Sequence, residues 1–184
     1  MKQLHLFDQH SRQTPKAGIQ QNNAEQNNET TTLRAYWKVS VDGASRNNPG
    51  PSGAGISIEK NDSIFEEIGY FLGIKTNNQA EYLALIIGLV HVRAHIRPQD
   101  RLLIISDSQL LIRQLAGEYK VRHENVKYLY PVVKTLLHEI SYSLMHVLRE
   151  DNVRADKLAN QGIDTKASLP SWIIQKLARY GVAV

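Results

Sequence analysis

Four large apolar residues in succession, Leu102-Leu103-Ile104-Ile105, run straight into Ser106 and Asp107. A short run with β-branched members and no polar alternation reads as a strand covered on both faces. Arg101–Asp107 is therefore predicted as a central strand, which commits the chain to an α/β arrangement with helices against a sheet. The flanking sequence agrees. Trp37–Asp42 alternates with period two and reads as a half-buried strand ending in Asp42. Gly43–Gly53 is dense in turn residues. Ala54–Lys60 and Ser63–Phe71 read as two more strands joined by a tight Asn61-Asp62 turn.

Thr76-Asn77-Asn78-Gln79 has the form of a capping box, with Thr76 as N-cap. The helix it opens is predicted to run to about His95, with Glu81 just over one turn inside. Ser108 can cap a helix that stops at Gly117. A helical pattern over residues 123–138 meets Pro131, which starts, kinks or breaks it. Ser141–Leu148 reads as a fifth strand. Asp151 or Asn152 caps a helix carrying Asp156 and closed by Gly162, and a short helix follows around Trp172–Arg179. The expected fold is α/β with a mixed five-stranded sheet, three antiparallel strands and then parallel ones, flanked by helices.

The chain has 184 residues and a net charge of +4. Lys2, Arg12 and Lys16 balance Asp8, Glu25 and Glu29, so the excess lies in residues 34–184. That permits a nucleic-acid partner without demanding one. The absence of cysteine excludes a disulfide scaffold, thiolate zinc sites and a cysteine nucleophile. No apolar run approaches the roughly 20 residues that cross a bilayer, and the N-terminus lacks a secretory apolar core. The expectation is a cytoplasmic protein without a membrane partner.

Residues 1–33 read as a disordered Gln/Asn-rich tail, 34–165 as the main domain and 166–184 as a C-terminal helical extension. In Gln20–Asn28, seven of nine residues are Gln or Asn, too few apolar groups to offset the entropy of ordering. Gln3-Leu4-His5-Leu6-Phe7 stands ahead of this stretch as an apolar island. One reading folds it back onto the domain. The other makes it a docking peptide, because QLHLF resembles the bacterial sliding-clamp-binding pattern Gln-Leu-x-Leu-Phe, with Gln3, Leu4, Leu6 and Phe7 as the contact residues.

Four carboxylates fall at informative places. Asp42 and Asp107 end strands, while Glu81 and Asp156 lie near helix starts. In open α/β sheets sites gather at strand ends, so the four could converge. Alone, each is more simply a cap or a partner of a helix dipole.

The surrounding residues resemble ribonuclease H type 1. The matching stretches are Asp42-Gly-Ala-Ser-Arg-Asn-Asn48-Pro-Gly-Pro-Ser-Gly-Ala-Gly55, Thr76-Asn-Asn-Gln-Ala-Glu81-Tyr-Leu-Ala84, Ser106-Asp107-Ser108-Gln109 and Arg149-Glu-Asp-Asn-Val-Arg-Ala-Asp156-Lys-Leu-Ala159. They stand in family order across residues 34–165. The resemblance implies a monomeric endonuclease that hydrolyses the RNA strand of RNA/DNA hybrids. It implies a catalytic and metal-binding tetrad of Asp42, Glu81, Asp107 and Asp156. Two Mg²⁺ ions, replaceable by Mn²⁺, would be held by these oxygens, Asp42 bridging both, Asp107 and Glu81 on the first and Asp156 on the second. Asn48, Thr76, Asn77, Asn78 and Gln109 would contact the hybrid. Selecting RNA requires reaching its 2′-hydroxyl.

The chain departs from the family pattern twice. The loop before the last Asp lacks the His of well-studied members, which leaves its rate-assisting role unassigned, with Arg149 and Glu150 as the residues in its place. The basic protrusion after the second helix is reduced to Gly117–Asn125. Arg113, Lys120, Arg122, Lys127 and Lys134 oppose Glu118 and Glu124 there, as a reduced phosphate-contacting edge or a solvated face. Two other readings compete with the hybrid nuclease. One is a resolvase-like or transposase-like nuclease of the same superfold; the other is a noncatalytic hybrid-binding or clamp-associated adaptor.

Overall fold

The computed structural model describes residues 34–184. Its sheet contains β1 (Tyr36–Ser45), β2 (Gly50–Lys60), β3 (Ser63–Lys75), β4 (Arg101–Ser106) and β5 (Ser141–His146). The spatial order is β3-β2-β1-β4-β5. β1 pairs antiparallel with β2, and β2 with β3, while β4 lies parallel to both β1 and β5. The mixed five-stranded sheet is the expected one. Its centre, however, is β1, and β4 is the interior strand beside it.

The helices are α1 (Asn77–Arg93), α2 (Gln109–Leu115), α3 (Glu124–Lys127), α4 (Leu129–Leu137), α5 (Val153–Thr165) and α6 (Ser171–Arg179). α1 covers one face of the sheet. Thr76 caps it reciprocally: its hydroxyl accepts from the Gln79 N–H, and its own N–H donates to the Gln79 side chain at 3.0 Å. Every residue from Ala80 to Val92 is buried, because α4 and α6 cover what the sheet does not. A helix apolar all round is stable only in such a wrapped position. The C-terminal extension therefore completes the core, with Ile173, Leu177 and Val182 buried within it.

α5 lies on the opposite face, against β2 and β3, and sits very close. A Cβ on Gly55 would lie 1.9 Å from the Ala155 carbonyl oxygen, and one on Gly162 would lie 2.7 Å from the Tyr70 backbone. This explains two departures from expectation. Gly162 does not close its helix, which continues to Thr165 and ends at left-handed Lys166. Gly43–Gly53 is not mainly a turn: β1 runs on to Ser45 and β2 starts at Gly50, leaving Arg46–Pro49 as the connection. In both places glycine admits a neighbouring backbone.

Smaller differences concern ends. α1 stops at Arg93, and β5 stops at His146. The helical pattern around Pro131 breaks at Tyr128, so Pro131 falls in the first turn of α4, where its missing N–H costs little. The Asn61-Asp62 turn is as expected, with both residues left-handed, as a two-residue hairpin requires.

The first strand is pinned by a buried acid. Asp100, 1% exposed, accepts from the Ala35 N–H at 2.9 Å, the Arg97 N–H at 3.0 Å, the Trp37 indole at 3.3 Å and the Arg97 guanidinium at 3.1 Å. Burial pushes its carboxyl up, but these donors outweigh burial and hold it at about 2, below the ordinary 3.8. A depressed carboxyl adds stability that is full above its unfolded value and lost as pH falls through the folded one. Asp100→Asn is expected to cost about 2 kcal/mol at pH 7, with the difference from wild type fading between pH 4 and 2. Urea unfolding across that range checks it; a constant difference would contradict the account.

Candidate active site

β1 and β4 are parallel neighbours in a register that sets Ser40 beside Ile105. Asp42 lies two residues beyond that pair on β1, and Asp107 directly follows β4; the two share one cleft, and the charge of Asp107 acts on Asp42. Asp42 lies within β1, short of its end, and is 7% exposed. Glu81, the fifth residue of α1, is 6% exposed and accepts from the Gly43 N–H at 3.1 Å. That bond needs a close approach of β1 to α1, and a Cβ on Gly43 would lie 2.0 Å from the Glu81 nitrogen. Asp42, Glu81 and Asp107 line one cleft of about 400 Å³.

Asp156, in the first turn of α5, joins this group through its partners. The Arg149 guanidinium meets its carboxylate at 2.7 Å, and the Asn160 amide donates to it at 3.3 Å. Both partners line the cleft. Asn77 lines it too, and its backbone N–H donates to the Asn48 side chain at 2.8 Å, tying the β1–β2 connection to the start of α1. Thr76 is the helix cap. Asn78 is half-buried in the first turn of α1, and Gln109 is exposed at the start of α2. Neither lines the cleft, and Glu150 is exposed outside it. Gln3, Leu4, Leu6 and Phe7 lie outside the described residues.

The site is short of positive charge. Burial, reinforced by Asp107 and Asp156, raises the Asp42 carboxyl from 3.8 to about 7, and Arg149 opposes this only in part. Burial, with Asp42 and Asp107 beside it, raises Glu81 well above its ordinary value despite the Gly43 N–H. A divalent cation would relieve that strain, and an all-carboxylate donor set suits a hard ion such as Mg²⁺ or Mn²⁺. The donor set thus fits the expected metal in kind. Among the described residues, though, no three His, Asp or Glu side chains are arranged to hold an ion as they stand. The two observations are compatible. Repulsion acts over several ångströms, whereas ligation requires oxygens within about 2.0–2.6 Å of one point. Here Arg149 occupies Asp156, and Asn152 donates to Asp107 at 2.9 Å.

Several residues in or behind the cleft carry no such signal in the sequence. Asn152 was seen there only as a helix cap, yet it is buried and bonded to Asp107. Its side chain makes no cap bond. His146 was assigned to a strand; its ring nitrogen lies 3.2 Å from the Asp107 carbonyl oxygen. Asn160 stands one helical turn beyond Asp156, a spacing that could have flagged it. Arg46 lines the cleft and pairs with Asp164 at 2.7 Å. No periodicity points to it.

A family model described as "Reverse transcriptase-like" matches residues 40–162. The solved RNase H1 of the halophilic archaeon Halobacterium salinarum superposes with a TM-score of 0.67 at 36% identity, covering 71% of this chain and 98% of that one. The chain belongs to the ribonuclease H type 1 family. Another solved member of that family, LC11-RNase H1 in complex with an RNA/DNA hybrid, matches at 32% identity with a TM-score of 0.65, covering 70% of this chain and 97% of that one. Among curated relatives, Ribonuclease HI of Halobacterium salinarum is 38% identical over 134 residues, 72% of this chain and 64% of its own length. A bifunctional protein of Mycobacterium tuberculosis is 35% identical over 137 residues, 70% of this chain. This ribonuclease H-family chain spans only about a third, 36%, of that longer relative.

The raised Asp42 carboxyl has a stability consequence without metal. A folded carboxyl above its unfolded value binds extra protons when folded, so stability falls as pH rises from about 4 to about 7. In EDTA, wild type is expected to lose about 2–3 kcal/mol through this group between pH 5 and 8, and Asp42→Asn to lose much less. Parallel pH profiles for the two in urea unfolding would refute the assignment.

Proposed function

We propose that this chain is a metal-dependent endonuclease that hydrolyses the RNA strand of RNA/DNA hybrids. The observation that carries the reading is one cleft in which Asp42, Glu81 and Asp107 meet with too little positive charge beside them. A solved relative in complex with a hybrid supports the substrate class.

Asp42, Glu81, Asp107 and Asp156 would hold two Mg²⁺ ions, with Mn²⁺ as substitute. When bound, such a pair lowers the pKa of a water and offsets charge on the departing 3′-oxygen. The chain's own groups do the rest. The buried carboxylates fix their oxygens before substrate arrives. Asn77 on the cleft wall, with Asn48 bonded behind it, is placed to read a 2′-hydroxyl, the group that separates RNA from DNA. Thr76, Asn78 and Gln109 extend that contact along the strand. Arg149 is ion-paired with Asp156, but its side chain is 79% exposed, and it can answer a phosphate once it leaves that partner.

The decisive experiment offers end-labelled RNA/DNA hybrid with Mg²⁺ or Mn²⁺, alongside duplex RNA, duplex DNA, single strands and branched DNA. RNA-strand cuts confined to the hybrid are expected, falling at least 10³-fold in Asp107→Asn, about 4 kcal/mol of lost transition-state stabilisation. Hybrid binding without cutting under either metal would make the chain an adaptor. Cutting of branched DNA alone would make it a resolvase-like nuclease.

We also read residues 34–165 as the nuclease domain of a monomer in the cytoplasm, 166–184 as its helical extension and 1–33 as a tail. No described helix is long and apolar enough to cross a membrane. Residues 3–7 would dock on a bacterial sliding clamp and raise its local concentration near the hybrid. Capture on immobilised clamp is expected to fall at least tenfold when Leu6→Ala and Phe7→Ala are combined, with hybrid cleavage in solution unchanged. Equal capture of the double variant would remove the clamp from the account.

A further inference from the structure

Asn152 touches the segments that carry three of the four carboxylates. Its Nδ2 donates to the Val41 carbonyl oxygen at 3.0 Å and to Asp107 Oδ1 at 2.9 Å. Its own carbonyl oxygen accepts from the Asp156 N–H at 3.1 Å. Val41 immediately precedes Asp42. One buried side chain, 2% exposed and absent from the cleft lining, thus links the middle of β1 to the residue after β4, while the backbone of the same residue opens the first turn of α5. Both side-chain partners are acceptors, so the amide must present its NH₂, and each of its two hydrogens has one partner. No carboxylate, hydroxyl or apolar side chain can make both bonds.

We propose that Asn152 is the positioning residue of the site. From behind the cleft its side chain holds Asp107 in one orientation and keeps Asp42 and Asp107 at fixed spacing. Among the described residues, the other bond to Asp107 is to its backbone, where His146 approaches the carbonyl oxygen. The side-chain orientation therefore depends on Asn152. Groups that orient a metal-binding carboxylate typically contribute 10–100-fold to affinity or activity when tested by substitution.

The proposal rests on the hybrid-cleavage reading for its kinetic arm but not for its binding arm. The full chain is compared as wild type, Asn152→Ala and Asn152→Ser; serine keeps the preference for a helix N-cap, and its hydroxyl can make at most one of the two bonds. Mn²⁺ affinity is read by electron paramagnetic resonance, hybrid cleavage by kcat and KM, and folding by circular dichroism. Mn²⁺ affinity and kcat are expected to fall 10–100-fold with KM for hybrid within about threefold, serine being the milder of the two. In an Asp107→Ala background, the Asn152→Ala change should reduce Mn²⁺ affinity by less than about twofold, since its carboxylate partner is already gone. If Asn152→Ala does not fold, Asn152→Ser decides. Variants that melt earlier but keep wild-type Mn²⁺ affinity and kcat would overturn the proposal and leave Asn152 a packing residue. A wild-type chain that binds Mn²⁺ yet cuts no hybrid would defeat the cleavage reading alone, with the binding arm still deciding Asn152. One that binds no Mn²⁺ would defeat both.

Discussion

The site depends on how closely β1 can approach α1. At Gly43 the two backbones come so near that any side chain would collide, its Cβ 2.0 Å from the Glu81 nitrogen. That approach lets the Gly43 N–H reach the Glu81 carboxylate and sets Asp42 next to it. α1 cannot retreat, because thirteen consecutive residues from Ala80 to Val92 are buried by the sheet on one side and by α4 and α6 on the others. A rigid, fully wrapped helix is what makes a buried acid near its N-terminus tolerable. Moving Glu81 toward water would require breaking apolar contacts along much of the helix, at about 25 cal/mol for each Å² exposed.

The same rigidity creates an electrostatic debt. Asp42 and Glu81 are nearly inaccessible and face other carboxylates, and both are driven toward their neutral forms. A structural role would not select such a cluster, since apolar residues of similar size would fill the space at lower cost. The debt makes sense where a cation enters. It also separates this cluster from Asp100, which is equally buried but satisfied by donors and held low. Three buried acids in one domain thus divide into opposite electrostatics. Unpaired charge, more than burial, singles out the candidate site.

Much of this was readable beforehand. Period-two alternation located β1, the Asn61-Asp62 turn between two runs located β2 and β3, the capping box located α1, and the unbroken Leu102–Ile105 run located β4, because each signal is local. The four carboxylates were legible only as candidates, and the ordered motifs around them supplied the resemblance that joined them. What stayed hidden is long-range. Asn152 meets Val41 across 111 positions and Asp107 across 45, distances at which no sequence pattern speaks. The glycines misled for a related reason. Gly43, Gly53 and Gly162 look like turn or stop signals, yet each lies in a strand or helix where a second backbone presses close.

That close packing also settles which part of the site can move. α5 is seated against β2 and β3 through Gly53, Gly55, Gly69 and Gly162, contacts with no slack for sliding. Asp156 rides on its first turn and is fixed with it. The loop before it is different. Leu148, Arg149, Glu150 and Asp151 are all exposed, and Arg149 is held by its ion pair with Asp156 rather than by packing. An exposed ion pair contributes about 0–1 kcal/mol, so thermal motion can open it. On the proposed function, where substrate would bring phosphate and cations would bring positive charge, Arg149 would be free to exchange partners. The scaffold therefore places its precision in the carboxylates and its adaptability in exposed, ion-paired arginines at the rim, Arg149 on Asp156 and Arg46 on Asp164.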